Sequence, residues 1–125
     1  MAESKKINAH IIETGESNYT VDIEVSGYSF KGDEPKSFGG GGLGPAPYDL
    51  LLASLGECTA MTIRWYALKK NWPLERAEVK ISYQKIDNVD NFEKQIIIHG
   101  DELTDEQRER LIDVAGKCPV QRSLQ

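Results

Sequence analysis

Tyr19, Val21, Ile23 and Val25 recur at every second position while Asp22 and Glu24 turn the other way, the period of a strand with one apolar face. An apolar stretch from Ile7 to Glu13 precedes it across the turn cluster Thr14-Gly15-Glu16-Ser17-Asn18. Beyond Gly27, Tyr28 and Phe30 alternate with Ser29 and Lys31. The pattern predicts an antiparallel meander with one wet face. From Gly32 to Pro47 the alternation stops, and the run Gly39 to Gly42 and the prolines mark a loop.

The period then changes. Leu51, Leu55, Cys58, Thr62 and Trp65 recur at helical spacing, predicting a central, largely buried helix over Tyr48 to Lys70. Pro47 suits its first position and Asp49 its positive end, while Lys69 and Lys70 suit its negative end and Asn71 and Pro73 mark the stop. Ala77, Val79, Ile81 and Tyr83 form a second alternating strand, with Asp87 to Asn91 as turn and Phe92 to His99 returning as its hairpin partner. Ile96-Ile97-Ile98 suggests burial on both faces. Thr104 with Gln107 three positions later is a capping box, opening a helix on which Leu111, Ala115 and Cys118 share a face and which Pro119 ends. The order β-β-β-α-β-β-α predicts an α+β fold, helices on one side of antiparallel sheet, in a single domain spanning 1–125.

Composition narrows the function classes. The net charge is −5 with both signs scattered along the chain, which offers no basic field to nucleic acid or an acidic bilayer. The opening residues carry no apolar signal core and no window is apolar enough to span a membrane, so a cytoplasmic protein is expected. Two cysteines are too few for a secreted disulfide framework and too widely separated for a CxxC redox or zinc knuckle. A chain of this length needs no staple to fold, which frees both for other work.

Cys58 and Cys118 lie on the apolar stripes of the two predicted helices and can meet if those helices pack together. Two buried small hydrophobes would read the same way. Cys118 precedes a proline at a helix exit, and Gly56 sits in a helix interior where a close approach of another chain or a ligand would account for it. Glu57, beside Cys58, disfavours a thiolate there, and Arg64 lies off that face. Gly39 to Gly44 formally fits a dinucleotide-binding pattern, but Pro45 and Pro47 intervene and the following strand is missing, so the loop is taken as flexible or anion-tolerant. His10 and His99 lack metal-ligand spacing, and no metal or other cofactor is expected.

The segment Gly44-Pro45-Ala46-Pro47-Tyr48-Asp49, continuing through Gly56-Glu57-Cys58-Thr59-Ala60-Met61-Thr62, resembles the proline-initiated cysteine helix of the OsmC/Ohr family. Cys118-Pro119-Val120 resembles that family's second cysteine motif, and the element order agrees from about Tyr19 onward. The resemblance implies an intertwined homodimer with active sites at the subunit interface and no metal or flavin. It also implies reduction of organic hydroperoxides in oxidative-stress defence, with Cys58 as peroxidatic and Cys118 as resolving cysteine and an external dithiol as reductant. A non-enzymatic relative that binds a small apolar ligand at the dimer interface, its cysteines structural, is the alternative.

The sequence departs from the family's well-studied peroxidases in three places. No arginine precedes Arg64, Tyr48 with Asp49 beside it stands where a glutamate is usual, and the chain stops at Gln125 without a closing strand, as a shortened form would. Lys31 and Lys36 are the candidate cations from the N-terminal half, and Tyr48, Asp49 and Glu57 the other candidate supporting residues. An ammonium does not replace a bidentate guanidinium.

Overall fold

The computed structural model describes residues 6–124. The opening stretch, expected to lack a signal core, lies largely outside that range. Strands and helices form two compact units, Met1–Leu50 and Leu51–Gln125.

In the first unit β1 (Ala9–Glu13), β2 (Val21–Val25) and β3 (Tyr28–Gly32) pair antiparallel in the order β1-β2-β3. Ile11, Ile23 and Phe30 stand opposite one another, so the apolar alternation of the sequence becomes a row across the sheet. β1 is shorter than the stretch Ile7 to Glu13. Ser26 and Gly27, at φ 50° and 84°, make the two-residue turn into β3, a geometry whose twist matches that of the paired strands.

The glycine-rich loop is folded about one carboxylate. Asp33 is 4% exposed, and its oxygens accept from Thr20 Oγ1 at 2.7 Å, the Glu34 amide at 2.8 Å, the Gly41 amide at 3.1 Å, and Ser17 Oγ and the Leu43 amide at 3.2 Å. The loop can wrap this closely because position 40 has no side chain: a Cβ there would land on the Glu34 carbonyl. Burial alone would raise the Asp33 pKa. The hydroxyl and amide donors outweigh it and hold the carboxyl at about 2.

The long helix α1 (Pro47–Lys70) starts in the first unit, where Asp49 accepts the Ala46 amide at 2.8 Å, and runs into the second. There it is followed by the hairpin β4 (Arg76–Ile86) and β5 (Val89–His99), then α2 (Asp105–Ala115) and the short α3 (Pro119–Ser123). Asp87 and Asn88, at φ 51° and 64°, turn the hairpin, and Thr104 and Gln107 cap α2 reciprocally as their spacing predicts. Ile63 and Ala67 of α1, Leu74, Ile98 of β5, Leu103, and Leu111 and Ala115 of α2 form the core. Arg64 does not reach toward the thiol. It donates to the carbonyls of Leu74 at 2.9 Å and Glu75 at 3.0 Å and ties the segment after α1 to the helix.

Two expectations are corrected, the face of α1 and the end of α2. The buried positions of α1 are Leu55, Thr59, Ile63 and Ala67, a stripe turned away from the predicted one; Trp65 is 58% exposed, and apolar residues on several sides of the helix hide which face the hairpin covers. Within the chain, a Cβ at Gly56 would meet Ile81 at an ordinary 3.5 Å. Helix α2 ends at Ala115, where Gly116 has poor helix propensity, and Cys118 is the residue that caps α3. Pro119 therefore begins a helix rather than ending one, the position its fixed φ and missing N–H suit best. Among the described residues no helix is long and apolar enough to cross a membrane.

A carboxyl held at about 2 when folded but near 3.9 when unfolded contributes stability that is complete above about pH 4 and is lost as pH falls through about 2. Asp33→Asn is expected to destabilise the chain at neutral pH and to flatten its acid dependence between about pH 4 and 2. Acid unfolding followed by circular dichroism checks this; a variant with the wild-type acid profile would show that the buried carboxylate is not what titrates.

Candidate active site

Thr59, on the buried stripe of α1, follows Cys58, which therefore sits at the edge of that stripe and is half-buried. Cys118 has no exposed surface. It stands at the N-cap position of a helix opened by proline, beside the free amides of the first turn of α3. Both thiols are unoxidised, and each shifts the protonation of the other.

The pair is electrostatically unequal. Burial pushes the Cys118 thiol up, but the Cys58 thiol, the Gln121 and Val120 amides and the Thr59 hydroxyl outweigh it, so the net shift is downward. Cys58 is pushed up, first by burial and then by Cys118, against weaker help from Val120 and Thr62. The two shifts run in opposite directions and favour the first negative charge on Cys118. Glu57, which the sequence suggested would disfavour the Cys58 thiolate, is exposed and is not among these causes.

Cys58 opens onto a cleft of about 730 Å³, a volume suited to a small organic molecule. Met61, Trp65, Val114 and Val120 make its walls apolar, while Arg110, Lys117 and Arg122 supply positive charge. Arg110 is anchored, donating to Tyr66 Oη at 3.0 Å and Asp113 at 2.8 Å and drawing the Tyr66 phenol pKa down.

Of the residues singled out from the sequence, Cys58, Cys118 and Glu57 come together here, the first and last lining the cleft. The others belong to the first unit: Lys31 is paired with Glu16 at 2.6 Å and Asp22 at 3.1 Å, Lys36 begins a single 3-10 turn, Asp49 holds the Ala46 amide, and Tyr48 is half-exposed in the first turn of α1. His10 is in β1, and His99 meets Glu78 at 2.8 Å. Among the described residues no three His, Cys, Asp or Glu side chains gather as a metal site would require.

The sequence reading missed Thr59, Arg110 and Lys94. Lys94 donates to Thr59 Oγ1 at 2.9 Å and to Gln121. A signal for it exists: Lys94 interrupts the alternation Phe92, Ile96, Ile98 on the face of β5 that supplies the core.

The family model for OsmC-like proteins matches residues 39–125, and the chain belongs to that family. Solved structures share its fold. The OsmC-like protein of Mycoplasma pneumoniae superposes with a TM-score of 0.75 at 19% identity, covering 99% of this chain and 89% of its own. Organic hydroperoxide resistance proteins of Legionella pneumophila (TM-score 0.70, 19% identity, 97% of this chain and 90% of that one) and Elizabethkingia anophelis (0.70, 21%, 98% and 90%) agree as well. No curated protein matches the chain.

A Cys58 pKa raised above its ordinary value makes alkylation by an uncharged reagent climb about tenfold per pH unit through neutral pH and continue past about 8.5, where a free thiol levels off. Rates followed by peptide mass mapping check this, and a plateau below pH 7 would show an activated thiolate instead.

Proposed function

We propose that the chain is a thiol-dependent hydroperoxide reductase in which Cys58 is oxidised and Cys118 resolves it. The observation that carries this reading is a pair of mutually perturbed thiols of which Cys58 opens onto an apolar cleft while Cys118 is buried. Family membership supports it, as does the likeness to the two organic hydroperoxide resistance proteins.

The unequal pair provides for the protons. Transfer of the Cys58 proton to the Cys118 thiolate leaves a Cys58 thiolate facing the cleft. Its sulfur attacks the terminal oxygen of the hydroperoxide, the O–O bond breaks, and the alkoxide takes the proton back from Cys118 to leave as alcohol. Cys58 is now a sulfenic acid and Cys118 again a thiolate. The thiolate attacks the Cys58 sulfur and displaces hydroxide, which leaves as water on protonation. Two thiols and one hydroperoxide become a disulfide, an alcohol and water, and an external dithiol restores the thiols. Because the accessible thiol is the less acidic one and no guanidinium pairs with it, turnover is slow.

The functional unit is a homodimer. Met61, Trp65 and Leu68 share one side of α1 and are 62%, 58% and 69% exposed, an apolar strip that a second copy would cover and, in doing so, roof the cleft. Free cysteines dependent on external reductant suit the cytoplasm.

Treatment with cumene hydroperoxide should remove two hydrogens from the intact mass, and Cys118→Ser should instead gain one oxygen on Cys58. A chain that keeps both thiols under excess hydroperoxide would instead fit an apolar-ligand protein with structural cysteines. Light scattering should report a dimer, and a monomer at micromolar concentration would count against the shared cleft.

A further inference from the structure

We propose that the bridge between Arg110 and Tyr66 is the end wall of the cysteine cleft and sets the length of ligand it takes. The pair then determines specificity: the substrate is a compact hydroperoxide, aryl or short alkyl, rather than one carried on a long hydrocarbon chain. The proposal deepens the hydroperoxide reading of the cleft and rests on it.

A second hollow, of about 450 Å³, adjoins the cysteine cleft, and Tyr66 and Arg110 line both. On α1 the cysteine cleft uses residues up to Tyr66, and the second hollow uses Tyr66 and Lys70. On α2 the order is reversed about Arg110, with Val114 on the cysteine side and Thr104 and Gln107 on the other. The two side chains therefore stand where the hollows meet, and Arg110 Nε donates to Tyr66 Oη at 3.0 Å across the gap between the helices. Without that bridge one groove would run along both helices.

Both halves of the wall are braced. The Tyr66 ring meets Trp72 and Trp65 edge-on, with centroids 5.5 and 6.5 Å away, and Arg110 is held one turn along α2 by Asp113 at 2.8 Å. The bridge is a polar tie beside apolar lining from Met61, Trp65 and Val114. A hydrocarbon chain passing it would part a guanidinium from its phenol acceptor and offer neither a new partner. Tyr66 stands eight residues after Cys58, about 12 Å along the helix. A cumyl group on the sulfur fits short of the wall, whereas an extended decyl chain has to cross it.

The test compares two neutral reagents that differ in one hydrocarbon tail, N-ethylmaleimide and N-decylmaleimide, with rates at Cys58 followed by peptide mass mapping of the full chain. Both react with the same sulfur, so a change in its acidity cancels in the ratio of their rates. Arg110→Ala should raise the decyl-to-ethyl ratio about tenfold, the gain from burying about two further methylene groups beyond the wall. The side chain of Arg110 is 45% exposed and alanine favours a helix, so the fold should survive. A folded Arg110→Ala protein that keeps the parent's ratio overturns the proposal. If Arg110→Ala does not fold, Tyr66→Phe decides, since it keeps the ring between the tryptophans and removes the oxygen that holds Arg110. An unchanged ratio overturns the proposal equally there. Neither measurement needs a hydroperoxide. A raised ratio in a chain that ignores hydroperoxides sinks the peroxidase reading alone, whereas a chain that reduces tert-butyl hydroperoxide while its variants keep the parent's ratio sinks the wall alone.

Discussion

The mutual influence of Cys58 and Cys118 on each other's protonation requires segments far apart in the chain to arrive at one place, and much of the second unit can be understood as the means of bringing them there. Helix α1 carries Cys58 at the edge of its buried stripe, the core of Ile63, Leu111 and Ala115 holds α2 against it, and Gly116 stops α2 so that the chain can turn back. Pro119 then opens α3 with its free amides beside Cys118. Each step follows from a local preference, and together they set two sulfurs in one environment with different access to solvent.

That difference separates two properties often assumed to coincide in a reactive cysteine. Access belongs to Cys58 and acidity to Cys118. A guanidinium beside the accessible thiol would merge them. Here the positive groups lining the cleft include an arginine already bound to Tyr66 and Asp113.

Strand and helix types were legible wherever one face is buried and the other wet. The meander of β1 to β3, the β4–β5 hairpin and the capped start of α2 all follow from period and turn chemistry. The face of α1 was not legible, because apolar residues surround it and only contact with a hairpin distant in sequence selects the stripe through Thr59. The end of α2 was misplaced because Leu111, Ala115 and Cys118 keep helical spacing across Gly116, so periodicity outvoted the breaker. Of the candidate site, the cysteines stood out by motif resemblance, but Thr59 and Lys94, which meet at 2.9 Å, did not. Their meeting depends on which strand faces which turn of helix, and a lysine in an alternating strand is easily taken for a solvated charge.

The carboxylate at the heart of the glycine loop carries a consequence for ligand recognition. The Gly41 and Leu43 amides converge as they would on a phosphate oxygen, yet the place is filled by Asp33, an anion covalently tethered to the same chain. A tethered occupant competes at an effective concentration that free metabolites do not approach, and a second anion would meet its charge at close range. The loop thus retains the chemistry of a phosphate cradle while being permanently self-inhibited as one, which is why a glycine pattern so close to a nucleotide fingerprint marks no nucleotide site.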